Sequence, residues 1–93
     1  MVIGVRCIEL HVAGAHSLKD KRSVVKSLKD RLHNEFNVSV AETGRLDAWQ
    51  AAELTICVVS TDRRHAESVL QSVDRFVDGN PVCRVVDSQT SFL

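Results

Sequence analysis

Apolar residues in this 93-residue chain switch between two spacings, and the order of the switches leaves few folds open. Ile8, Leu10 and Val12 recur at every second position, with Glu9 and His11 between them, which predicts a half-buried strand. Val24, Val25, Leu28, Leu32 and Phe36 then form one stripe at helical spacing. Alternation returns at Val38 and Val40, and again through Ala52, Leu54, Ile56 and Val58. A second helical stripe follows in Ala66, Val69, Leu70, Val73, Phe76 and Val77, and a last strand is predicted over Val82–Asp87. The order is βαββαβ. Crossovers between strands of one sheet are right-handed in nearly all cases. The economical solution is a ferredoxin-like α+β fold: a four-stranded antiparallel sheet with two helices on one face. A single domain over residues 1–93 is expected.

The punctuation agrees with the periods. Ser17 and Asp20 stand at capping-box spacing before the first stripe. That helix is predicted to end near Asn34–Phe36. Thr43–Gln50 is the turn between the middle strands, Asp62 caps the second helix, and Gly79 and Pro81 stop it. Arg6 breaks the alternation of the first strand, predicting a bulge or a start outside the covered sheet. A polar tail ending in Phe92-Leu93 is expected after the last strand. The uncovered face of such a sheet would present Cys7, Glu9, His11, Ser39, Ala41, Thr55, Cys57 and Val59. Many of these are small or apolar, so a homodimer packed sheet to sheet is the expected partner arrangement.

Composition narrows the class. No apolar run approaches the roughly 18 residues of a membrane span, and the N-terminal MVIGVRCIELHV lacks the basic start and cleavage site of a signal peptide. A cytoplasmic location is expected. Cys7, Cys57 and Cys83 are odd in number and lie apart, in no metal-binding spacing. They are expected to be buried free thiols. No metal and no cofactor is expected, since His11 and His16 fit no recurring ligand spacing.

Charge, by contrast, is unevenly placed. The chain holds 12 basic and 12 acidic residues, yet six of the basic ones fall in SLKDKRSVVKSLKDRL against two aspartates. Lys19, Lys21 and Arg22 sit in the first turn, where the helix dipole is positive and exposed cations cost about 0.3–1 kcal/mol each. An anion would offset that cost. The candidate nucleic-acid contacts are therefore Lys19, Lys21, Arg22, Lys26 and Lys29, a solvated cationic face being the alternative. Contacts of this type hold phosphates and read no bases. In the turn, Asp47, Trp49 and Gln50 are the candidate partner contacts. Trp49 either closes one end of the core, with its indole N–H on a carbonyl, or anchors a partner. Asp47 and Gln50 are expected to bond backbone in the turn.

The phrases GVRCIELHV, AHSLKDKRSVVKSLKDRLHNEFNVSVAE and LDAWQAAELTICVVS, covering roughly Val2 to Val77, resemble the bacterial YlxP-like family, a domain of unknown function. The resemblance implies a ferredoxin-like fold. It also implies a gene setting beside transcription antitermination, translation initiation and ribosome maturation, including ribosome-binding factor A, which points toward RNA or a ribosomal particle as partner. That is association and not mechanism.

Other users of the topology fit less well. An RNA-recognition motif stacks bases on strand aromatics, and AELTICVVS has none. An acylphosphatase would need an asparagine on that strand, and a metallochaperone a cysteine pair in the first loop; both are missing. No nucleophile elbow or paired acid and base is recognisable, so no catalysis is expected. The expected function is a non-catalytic RNA- or ribosome-associated module. A homodimeric protein-interaction scaffold and a small-molecule-binding regulatory module are the alternatives.

Overall fold

The computed structural model describes residues 1–93 and shows the expected element order: β1 (Val2–Val12), α1 (Leu18–Glu35), β2 (Ser39–Gly44), β3 (Ala51–Ser60), α2 (Arg63–Asp78) and β4 (Cys83–Phe92). The strands form one antiparallel sheet in the order β2-β3-β1-β4. This is the ferredoxin-like split βαβ arrangement. Neither helix is long and apolar enough to cross a membrane.

The core lies between the sheet and the helices. Ile8, Leu10 and Val12 of β1 and Ala52, Leu54, Ile56 and Val58 of β3 meet Val25, Leu28 and Leu32 of α1 and Ala66, Leu70, Val73 and Val77 of α2, all buried. Burying side chains of this size stabilises by about 1.5–3 kcal/mol each. Phe36 and Phe76 join the two helices edge to face, with centroids 5.8 Å apart. Gly4 belongs to the same layer, and a Cβ there would meet Leu70 and Val58 at 3.1 Å.

Both helices begin as their sequences predict. Ser17 accepts from the Asp20 amide at 3.0 Å, and Asp62 accepts from Arg64 at 3.1 Å. The Asp20 carboxylate returns to the amide of His16, one residue before the cap residue, at 3.1 Å. Gly14, at φ 80, makes the turn that delivers the chain to this cap.

Two expectations about the sheet need correction. Arg6 marks neither a bulge in β1 nor an unpaired start, because β1 pairs with β3 from Val2 onward. It points to the helix side, where its guanidinium grips Asp74 of α2 and also reaches Thr90 and Ser88 of β4. A charged residue interrupts the apolar phase because a carboxylate on the helix above receives it. The bulge occurs instead in β4, at Val86, between the pairs Glu9–Asp87 and Leu10–Val85. Nor is the C-terminus a polar tail. β4 continues to Phe92, and the backbones of Ile3 and Leu93 exchange hydrogen bonds at 3.2 and 2.8 Å.

Candidate nucleic-acid interface

The outer side of α1 carries the cationic row. Lys19, Arg22 and Lys26 are exposed and Lys29 is partly so. Their spacing of three and four residues keeps them on one flank, over about 15 Å of helix at 1.5 Å per residue. Lys26 pairs with Asp30 at 3.1 Å, but both groups are well exposed, so the pair contributes little and leaves the ammonium available. The other three take no part in the molecule's ion pairs.

Lys21 does not belong to that row, contrary to the expectation from the first turn. Its side chain is fully buried. The ammonium donates to the carbonyls of Arg45 at 2.7 Å and Ala51 at 3.2 Å, with that of Leu46 at 3.4 Å. Glu42 Oε2 lies 3.1 Å away and forms no aligned hydrogen bond, so it balances the charge electrostatically. A buried ammonium persists only when paired and hydrogen-bonded in this way. Lys21 thus clamps the β2–β3 hairpin onto the start of α1. Arg45 holds a positive φ of 59 in that hairpin, and its guanidinium meets Glu9 at 2.6 Å. Arg45 and Glu42 escaped the sequence reading because their roles depend on a contact made across the fold.

The cap also changes the anion site. Ser17 occupies the Asp20 amide, and Asp20 places a carboxylate in the first turn. The positive charge that α1 presents to solvent is therefore that of the side-chain row and not that of the helix terminus.

The partner candidates divide. Gln50 ties loops together, its Nε2 donating to Ala15 O at 3.1 Å while its backbone carbonyl accepts from the Val12 amide at 2.9 Å. It bonds backbone as expected, but in the β1–α1 loop and not in its own turn. Asp47 is exposed. Trp49 does not close the core: it is 55% exposed, beside Leu46 at 56%. The Lys21 clamp and the Gln50 bonds put this apolar tip at the same end of the molecule as Lys19 and Arg22.

The opposite, uncovered face of the sheet gathers three carboxylates, with Arg45 and Arg84 on the same side. Register places Glu9 directly across from both Glu53 and Asp87. Cross-strand carboxylates repel, and Arg45 on Glu9 and Thr43 on Glu53 at 2.9 Å moderate them. Cys7 and Cys57 lie partly exposed on this face, and of the three cysteines Cys83 alone is buried. Burial first, then the charge of Glu53, pushes the Cys7 thiol up, and burial does the same to Cys83. Both stay protonated and poorly nucleophilic at neutral pH. The cationic excess seen in the sequence lies on α1, while the open face mixes Glu9, Glu53 and Asp87 with Arg45 and Arg84. A sheet-to-sheet homodimer would enclose these carboxylates together with Arg45 and Arg84 of both copies.

This fold and charge layout define a small βαββαβ module, and residues 3–90 match the family described as Protein of unknown function (DUF503), to which the chain belongs. It is 41% identical over 80 residues to the Uncharacterized protein YlxP of Bacillus subtilis (strain 168), covering 86% of this chain and 87% of the relative. A de novo designed protein with ferredoxin fold, LFR1 1, superposes over 100% of this chain and 83% of its own, with a TM-score of 0.48 and 16% identity.

Proposed function

We propose that this protein is a non-catalytic, RNA- or ribosome-associated module whose cationic row on α1 lies along a phosphate backbone. The observation that carries the reading is the row itself: Lys19, Arg22, Lys26 and Lys29 share one flank and keep their charge free for a partner. The open sheet supports it by offering no cationic excess of its own, since Arg45 and Arg84 stand there among Glu9, Glu53 and Asp87. That leaves α1 as the face for a polyanion. The open face offers no aromatic side chain for base stacking, which favours backbone contact over base readout.

Sucrose-gradient fractionation of cell extract tests the proposal. The wild-type chain is expected to migrate with a ribosomal subunit at low salt and to leave it at high salt. The Lys19→Ala/Arg22→Ala/Lys26→Ala variant is expected at the top of the gradient in both. A triple variant that migrates like the wild type overturns the proposal.

A second reading, a protein-interaction scaffold, has one observation in its favour: two large apolar side chains, Leu46 and Trp49, stand more than half exposed on one rigid hairpin. It expects association that resists salt and is lost on Leu46→Ser/Trp49→Ala.

A further inference from the structure

The sheet has two free edges, and they are not alike. β2 is six residues long and irregular at Glu42–Gly44. β4 is ten residues long, and beyond its bulge the run Ser88–Phe92 carries no charge and no proline. Such a flat, uncharged edge is a template for another strand.

Register shows which groups it offers. Ile3 and Leu93 exchange both backbone hydrogen bonds. Because such pairs alternate along an antiparallel ladder, Ser88, Thr90 and Phe92 turn their backbone groups away from β1. The Ser88 amide is taken up by Asp87 Oδ1 at 2.9 Å, and upstream the Val85 amide lies 3.3 Å from Asp78 Oδ1. The groups of Thr90 and Phe92 form the outward edge. Beside them runs an open groove of about 480 Å³ between β4 and α2, with Thr90 and Phe92 on one wall and Glu67, Leu70 and Gln71 on the other.

The flank of α2 beside this groove has a charge pattern that reads the same in reverse with sign exchanged. Arg64, Glu67, Gln71, Arg75 and Asp78 recur at three- and four-residue spacing on one side of the helix. A two-fold axis at Gln71 would set Arg64 against Asp78 of a second copy and Glu67 against its Arg75. Gln71 and Thr90 line the same groove, so one axis serves the helix and the strand.

We propose that the chain pairs with a second copy of itself through β4, antiparallel about Thr90, giving one continuous eight-stranded sheet with the two α2 helices side by side. The two Thr90 residues exchange backbone hydrogen bonds, and each Phe92 amide donates to the partner's Ser88 carbonyl, so the Asp87 contact stays intact. Across the new ladder Thr90 meets Thr90, and Asp87 falls opposite the partner's Leu93, so no like charges face each other. An isologous contact of this kind closes on itself. It leaves the cationic row of α1 outward on both copies, which doubles the row available to a polyanion.

Sedimentation equilibrium on the full chain, with circular dichroism to verify folding, tests the pairing. The wild type is expected to be dimeric at micromolar concentration. Glu67→Arg and Arg75→Glu, each putting like charges across the axis, are expected to weaken the dimer by about tenfold or more. The double variant is expected to restore it. Thr90→Pro, which removes an outward amide from the edge, is expected to give monomer. A wild type that stays monomeric at hundreds of micromolar overturns the proposal, as does a dimer indifferent to both charge reversals and to Thr90→Pro.

Discussion

The two sides of α1 carry the same chemistry to opposite ends. On the outer side, Lys19, Arg22, Lys26 and Lys29 keep their ammonium and guanidinium groups in or near water. On the inner side, Lys21 is sealed under the hairpin, with hairpin carbonyls and Glu42 as its surroundings. An exposed cation costs the fold little and is available to a partner, whereas a buried one is bound up in the fold and available to none. A count of positive charge along the sequence cannot separate these fates. Position on the helical wheel can.

The largest expected effect comes from breaking the inner side. Lys21→Met leaves Glu42 and the hairpin carbonyls buried without a partner, and it should lower stability by about 3–5 kcal/mol. For a domain of this size that is a fall in Tm of roughly 15 °C or more, readable by thermal circular dichroism. Adding Glu42→Leu should recover part of the loss, because the stranded carboxylate is then gone. A Lys21→Met protein with a wild-type Tm would end the description of Lys21 as a clamp.

Arg6 and Asp74 form the other interior pair, and both side chains keep about a fifth of their surface in water. Asp74→Ala should therefore cost less than Lys21→Met, about 2 kcal/mol, by chemical denaturation. An equal or larger loss would show that water access does not set the order of the two pairs. Trp49→Ala should cost about 1 kcal/mol, well below the roughly 3–5 kcal/mol of a buried tryptophan, because more than half of the side chain already lies in solvent. A drop of several kcal/mol there would mean that the indole packs more tightly than its exposure implies.

The outer row should behave oppositely. Lys19→Ala/Arg22→Ala/Lys26→Ala should leave stability within about 0.5 kcal/mol of wild type, since the lost Lys26–Asp30 pair and the relieved first-turn repulsion are both small.

How much of this was legible beforehand follows the physics of each element. Alternation and stripes located all six elements because burial of apolar groups is periodic. Lys21 was legible too: it precedes Val25, Leu28 and Leu32 by four, seven and eleven residues, in the buried stripe itself. Charge concealed what spacing displayed. The second half of β4 was hidden for another reason, since an edge strand facing water on one side and a polar groove on the other has no apolar alternation to show. Trp49 misled through size, because a large apolar residue is buried only when the turn folds back over the core, and the Lys21 clamp holds this turn outward. Arg6 needed Asp74, 68 positions away, to make sense of it.

The salt dependence of RNA binding tests most directly the claim that the outer side of α1 holds phosphates. Fluorescence anisotropy with a labelled single-stranded ribosomal RNA fragment, titrated across salt concentrations, gives the slope of log affinity against log salt. Each cation engaged on a single strand contributes about 0.7 to that slope. The triple alanine variant should bind more weakly, with a slope shallower by about 2. If wild type and variant gave the same affinity and the same slope, that would contradict the account.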